Sequence, residues 1–595
     1  MWQEEPPSAT PAPNNMAPKR ASRRGRNGRP SFAAYCCVRA AIVVLGSTFS
    51  VFLLMMSHMQ GLHHESPSFA VAHAASGAAG RGAVRTSETD REAPMAREEP
   101  APRLRGAADG LGADVAAGLR AARESPEGFV IRERRPEPAV PPPPPPVAPR
   151  AAAPAAPDAE LSLEEIVTTL TKFLGEVHDA FAAARQTSKE AIWNAYVAVA
   201  ERTLVPFERK FAGRTIRPVR EDGSVFVSVA AYRDHMLGHT LSELFGNAAS
   251  PERVVAGVVM QNCVEKCRTG VEVVSKPGEP TRTKVSDAPP DRDGVLEFCS
   301  SDAGRPHCEA GRVRVLRVNE TESLGPAFAR YLASKLWLGE HYYVQIDAHM
   351  WTVDGWDEDL RVALRAAPSY PKVVMSAYPP GPDDRGSWKR SPRGTGKLCG
   401  AEFSKSSVEA HIIRLSGGGG GGAIAAPAPQ PPRSVYVGAG FFAAHASFLG
   451  ELPFDPYLPF VFMGEEIALT TRFFTNGWDV YAPRVSLFAH QYRPGKLGLP
   501  KFWESTDRTF GSGGSNTKLM LMIVDRVKHV VGYPDPPKNA GVLAHLRDPD
   551  GPNYGLGGAR PLSRFLDMAG LDMVKQTAST QGWCSKGQQP PPEFL

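Results

Sequence analysis

Apolar residues along this chain fall into three patterns, and each predicts a different element. Leu163, Ile166, Leu170, Phe173, Leu174, Val177 and Phe181 recur at helical spacing, so they share one side of a helix. Ser162 and Glu165 just before them form a capping box that opens it. The second pattern is a set of short unbroken runs at 225–230, 254–260, 313–318 and 342–346, the length of strands buried on both faces. Leu241, Leu244 and Phe245 mark a helix between the first two runs, and 327–338 reads as another through Phe328, Tyr331, Leu332, Lys335 and Leu336. Strands alternating with helices predict an α/β fold with a mainly parallel sheet, and such sheets hold ligands beyond the carboxyl ends of their strands. The third pattern is the run 40–59, whose one ionisable side chain is His58. It is long enough to cross a bilayer as a helix.

Charge decides how that run is read. Lys19, Arg20, Arg23, Arg24, Arg26, Arg29 and Arg39 precede it, and His63, His64 and Glu65 follow. The asymmetry keeps the N-terminus in the cytoplasm and sends the rest across. The run is longer, and starts later, than the apolar region of a cleaved signal peptide, so a signal-anchor is the preferred reading. Cys36 and Cys37 beside it are candidates for palmitoylation. The organisation that follows is a cytoplasmic tail at 1–39, an anchor at 40–59, a disordered Pro/Ala-rich stalk at 60–158, a helical neck at 161–210, a head at 221–534 and a C-terminal extension at 535–595. The head carries a flexible Gly/Ala/Pro-rich insertion at 416–432. The neck offers its apolar side either to the head or to a second copy, which would make a homodimer. The net charge of +5 is small for 595 residues, and much of it lies in the tail. That argues against nucleic acid as a partner.

Compartment bears on the cysteines. Cys263, Cys267, Cys299 and Cys308 invite a zinc reading, yet neither pair has CxxC spacing. In a lumen these four, with Cys399 and Cys584, are better read as disulfides of unassigned connectivity. The Asn319-Glu320-Thr321 sequon agrees with a lumenal head.

Candidate chemistry begins where the run 342–346 ends, at Asp347-Ala348-His349. A carboxylate and an imidazole two residues apart on extended chain share a side, so they form either a pair of metal ligands or a strand-end turn. Oxygen and imidazole donors suit manganese or a similar divalent ion, which can stabilise charge on a departing diphosphate. No GxGxxG or Walker A sequence follows a strand, which argues against dinucleotide oxidoreductases and P-loop enzymes.

An ordered set of motifs surrounds this point: GPAFARYL at 325–332, GWDED at 355–359, GAGFF at 438–442, FMGEEI at 462–467, Thr471-Arg472, GWD at 477–479 and FAHQYR at 488–493. Together, from Val225 to Trp503, they resemble the GlcNAc-transferase family that includes the polypeptide α-N-acetylglucosaminyltransferases, some of which modify threonine and others hydroxyproline of a Skp-type protein. More remotely they are similar to the mucin-type polypeptide GalNAc-transferases. The resemblance implies a Rossmann-like GT-A fold and retaining transfer of GlcNAc from UDP-GlcNAc to a protein hydroxyl, with Mn²⁺ as cofactor, in the Golgi lumen. It implies that Asp347, His349 and His490 hold the metal, with Asp347 also meeting the diphosphate. Tyr232, Arg233 and Asp234 fall where related folds place the uridine. Arg330 is implied to meet the nucleotide or to pair with Asp347. Glu465 matches the glutamate that binds donor-sugar hydroxyls and Glu466 is its neighbour, although both also suit the acidic first turn of a helix. Trp356 and Trp478 are expected in the core. Another UDP-sugar, a lipid acceptor, or a scaffold that has lost catalysis are the competing readings.

Overall fold

The computed structural model describes residues 160–185, 187–211, 217–273, 282–382, 396–405, 409–416, 430–492, 502 and 515–594. The tail, the run 40–59, the stalk and most of the insertion lie outside them. Among the described residues no helix is long and apolar enough to cross a membrane.

The strands, in chain order, are β1 (Val225–Tyr232), β2 (Val254–Asn262), β3 (Arg268–Val273), β4 (Arg282–Asp287), β5 (Val313–Asn319), β6 (Tyr342–Asp347), β7 (Met350–Thr352), β8 (Val373–Ser376), β9 (Gly400–Phe403), β10 (Ile413–Ser416), β11 (Phe441–His445), β12 (Asp479–Tyr481) and β13 (Phe488–His490), followed by a two-residue pair, β14 (Leu571–Asp572) and β15 (Thr577–Ala578). The helices that matter here are α1 (Leu163–Ala184), α2 (Lys189–Phe211), α3 (Leu237–Gly246), α4 (Gly294–Ser300), α5 (Pro326–Ser334), α6 (Trp356–Ala366), α7 (Glu465–Thr475), α8 (Ser515–Val531) and α9 (Leu562–Ala569). Seven strands form one sheet in the order β12-β8-β11-β6-β1-β2-β5. All neighbours are parallel except at β11, which runs antiparallel to both β6 and β8. The fold is therefore α/β with a mostly parallel central sheet, as the alternation of elements predicts.

The unbroken apolar runs have a direct cause. Val225, Val227 and Val229 of β1 join one core with Leu241 and Leu244 of α3 and Phe298 of α4, whereas Phe226 joins the core on the opposite face, with Phe328 of α5. Both faces are covered, so both are lined mainly by apolar side chains, with buried exceptions such as Ser228 and Gln345. A Cβ at Gly257 of β2 would stand 2.1 Å from the Phe226 ring, so that glycine is the space the phenyl occupies.

Helix α1 is capped as expected: Ser162 Oγ accepts from the Glu165 amide, and Glu165 accepts from the Ser162 amide at 2.7 Å. Its apolar side, with that of α2, is spent on the head. Phe173 stacks on Phe328 of α5 at 6.0 Å, and Tyr196 Oη donates to the Pro456 carbonyl. The face that suggested a homodimer is thus already covered. Glu208 of α2 is buried against α5, where it accepts from Tyr331 Oη at 2.5 Å and pairs with Lys335 Nζ at 2.8 Å. Burial pulls the Lys335 ammonium below its usual pKa, and Glu208 opposes that. Removing one partner of a buried ion pair strands the other. Glu208→Ala should therefore cost about 3 kcal/mol or more in urea unfolding; a loss below about 0.5 kcal/mol, the scale of surface substitutions, would show that the pair does not brace α5.

Two expected boundaries shift. Helix α5 stops at Ser334 and not at 338, because Lys335 and Leu336 close the end with bonds to the Leu332 and Ala333 carbonyls, three residues back. Position 534 is no edge of the core. Phe565 and Met568 of α9 are buried with Phe474 of α7, and Cys584 is bonded to Cys399. Cys263–Cys267 and Cys299–Cys308 are also disulfides, which removes the zinc reading. Trp356 and Trp478 are fully buried.

Candidate functional site

Strands β1 and β6 are parallel neighbours, with Ala230 opposite Asp347, so the chain leaves both at the same end of the sheet. After Asp347 it turns through Ala348 and His349 into β7. Thr240 of α3 holds that turn, its Oγ1 donating to the Ala348 carbonyl at 2.8 Å and accepting from the Met350 amide at 3.0 Å. Strand β7 pairs antiparallel with β13 and sets Met350 opposite His490. This short ribbon delivers the distant histidine. The His349 and His490 rings lie 4.8 Å apart, and His490 Nε2 is 3.1 Å from Asp347 Oδ2.

Two charged groups enter from helices. Arg330 of α5 donates to Asp347 Oδ1 at 2.9 Å and, through its other nitrogen, to Glu465 Oε2. Glu465 and Glu466 open α7 directly after Gly464, whose φ of 102° is a left-handed conformation suited to glycine. Glu465 Oε1 is buried with no hydrogen-bond partner among the described residues. Glu466 faces elsewhere and accepts from Tyr378 Oη at 2.8 Å and from the Ala439 amide at 2.9 Å. It thereby fastens the segment 438–440, in which a Cβ at Gly440 would stand 3.2 Å from Asp347 Oδ2.

Electrostatics follow from this crowding. Burial pushes the Asp347 carboxyl up, but the His490 hydrogen bond and the charges of Arg330, His490 and His349 outweigh it and hold Asp347 well below the usual carboxylate range. Burial lowers His349, while the hydrogen bond and charge of Asp234 and the charge of Asp347 raise it further, for a net upward shift. Burial also opposes the charge on Arg330, yet Glu465 and Asp347 keep its guanidinium protonated. Glu465 and Glu466 are both pushed up, chiefly by burial.

The donor atoms of Asp347, His349 and His490 all lie within 4.8 Å of one another. Their chemistry fits a divalent ion, because Asp234 Oδ2 sits 2.7 Å from His349 Nδ1. A carboxylate there accepts a hydrogen bond from Nδ1–H and leaves Nε2 as the lone-pair donor, the outer-sphere arrangement typical of metal-binding histidines. A second group, Glu221, His341 and His445, is equally close but has the opposite polarity. The Gly223 amide donates to His341 Nδ1 and the Ser447 amide to His445 Nδ1. Each neutral ring then carries its proton on Nε2, towards Glu221. That group is a hydrogen-bonded clamp and not a metal site.

The structure thus gathers Asp347, His349, His490, Arg330 and Glu465 into one cluster, with Glu466 on its wall. The side chains of two residues expected near the uridine, Arg233 and Asp234, are engaged within the protein. Arg233 is buried in a bidentate pair with Asp291, with bonds of 2.7 and 3.1 Å, and Asp234 is taken up by His349 and the Met236 amide. The loop after β1 therefore shapes the site through its carboxylate on His349. The Tyr232 ring packs edge-on against Phe502 at 5.5 Å. Sequence reading gave no role to Thr240 or Tyr378, and it flagged Gly440 only within the GAGFF motif. Tyr378 and Gly440 adjoin strand ends, a signal that marks many residues and selects none.

A family model described as "Glycosyltransferase (GlcNAc)" matches residues 224–575. No curated protein matches the chain in sequence. Among solved structures, GalNAc-T7 with UDP, GalNAc and Mn²⁺ is similar at 15% identity and TM-score 0.33, covering 59% of this chain and 56% of that one. The S. aureus protein TarS, residues 1–349, is similar at 13% identity and TM-score 0.24, covering 48% of this chain and 64% of that one. The chain thus spans less than two thirds of the length of either.

Proposed function

This chain belongs to the GlcNAc glycosyltransferase family, and from that premise we propose that it transfers GlcNAc from UDP-GlcNAc to a hydroxyl of a protein acceptor, on a GT-A type fold. The observation that carries this reading is the convergence of one carboxylate and two imidazoles at the end of β6, flanked by Arg330 and the orphan oxygen of Glu465. In this reading Asp347, His349 and His490 would hold a divalent cation, Mn²⁺ or a similar ion. Bound there, the ion supplies Lewis-acid stabilisation of the negative charge that develops on the UDP diphosphate.

The protein's own groups do the rest. Asp234 keeps the His349 ring oriented and its proton on Nδ1. Arg330 places a fixed positive charge beside Asp347 and Glu465, in surroundings where burial strengthens every electrostatic contact. Glu465 Oε1 accepts hydroxyls of the donor sugar, the pairing that a buried carboxylate oxygen needs. Glu466 holds the 438–440 wall against Asp347. Retention of configuration follows front-side attack, with the departing phosphate accepting the acceptor proton. A lumenal, Golgi location belongs to the same reading, and the three disulfides support it.

The test uses the full-length chain, solubilised, with a panel of UDP-sugars and a protein acceptor, with Mn²⁺ or with chelator. UDP-GlcNAc should be the preferred donor, and chelation should abolish both transfer and tight UDP binding. Faster turnover of another UDP-sugar would overturn the donor assignment. Metal-independent UDP binding would overturn the cation, and the absence of any UDP binding would leave a scaffold.

A further inference from the structure

We infer that Asn319 is an N-glycosylation site, where a single glycan caps the open edge of the central sheet. Asn319-Glu320-Thr321 is the one Asn-x-Ser/Thr sequence in the 595 residues, and a sequon is used only in a lumenal compartment and at a surface position. Three disulfides speak for the first. One of them begins at Cys263, the residue after Asn262, and Asn262 is the register partner of Asn319.

Position meets the second requirement. Among the described residues β5 ends the sheet order and pairs only with β2, so no strand adjoins its other edge. Asn319 is the last residue of β5 and shares a side with the exposed Arg317, while Leu316 and Val318 face the core. Its amide oxygen is occupied twice, by the Thr321 amide at 3.0 Å and by Thr321 Oγ1 at 2.8 Å. Its Nδ2 has no hydrogen-bond partner among the described residues, nor is it among the buried unsatisfied atoms. The nitrogen is therefore free towards solvent while the hydroxyl of the +2 residue polarises the amide from the oxygen side.

The reaction needs a lipid-pyrophosphate-linked oligosaccharide as co-substrate. Nδ2 loses a proton and bonds to C1 of the sugar, the C1–O bond to phosphate breaks, and the lipid pyrophosphate leaves. An open edge strand is a template for pairing with another chain. A hydrated glycan at the end of β5 blocks that approach.

The experiment expresses the full chain in a eukaryotic host that performs N-glycosylation. Amidase release of N-glycans should collapse the protein to a faster-migrating band and leave Asp at 319 in the peptide mass spectrum. N319Q and T321A should each abolish the shift, and T321S should keep it, which separates loss of the acceptor sequence from misfolding. Unmodified Asn319 in the wild-type chain, or a shift that survives both N319Q and T321A, would overturn the assignment. Transferase activity has no part in this readout, so the proposed function stands or falls separately.

Discussion

Asp347→Ala and His349→Ala should each lower sugar transfer by about 100-fold or more, the scale on which single electrostatic stabilisers act. The structure sharpens this expectation. Asp347 touches Arg330 on one oxygen and His490 on the other, so its loss removes a carboxylate partner from the Arg330 guanidinium together with one metal donor. His349 is held by Asp234, so alanine there frees that carboxylate and removes one donor. His490→Ala removes a donor carried on a separate ribbon and should respond to excess Mn²⁺ with partial recovery. The measurements are UDP binding and transfer rate across a Mn²⁺ titration, with thermal unfolding as the control for fold. Wild-type binding and transfer by the Asp347 and His349 variants at every metal concentration would sink the assignment of the site.

Glu465→Gln should separate binding from transfer. The change keeps the size of the side chain and removes its charge. Hydrogen bonds to a charged group contribute about 1.5–3 kcal/mol, so losing them between donor-sugar hydroxyls and Oε1 should slow transfer on the order of 30-fold. Glu465 does not belong to the group of close metal donors, so metal-dependent UDP affinity should stay near the wild-type value. Equal losses in UDP affinity and in transfer would mean that Glu465 works through Arg330 on the nucleotide and not on the sugar.

Much of this protein was decided locally and is therefore legible in its sequence. Runs of apolar residues at β1, β2, β5 and β6 can be satisfied only by strands covered on both faces, and the capping box at Ser162 starts a helix wherever that helix packs. The position of Asp347 at a strand end follows from where its apolar run stops. Periodicity, however, says which side of an element is apolar and is silent on what covers it. The covering of α1 by the head, the reversed direction of β11 and the packing of α9 on α7 come from contacts between segments far apart in the chain.

The site shows the same division. Asp347 and His349 are neighbours in sequence, whereas His490 reaches them only because β13 pairs with β7 in one register, and a slip of one residue would turn it to the other side. Arg233 and Asp234 follow β1 as anticipated, yet whether they meet a ligand depends on Asp291 and His349, which other segments supply. Composition could not distinguish the Asp347–His349–His490 group from the Glu221–His341–His445 group either. The difference lies in which group meets each Nδ1, a carboxylate at His349 and a backbone amide at His341, and only the folded chain settles it.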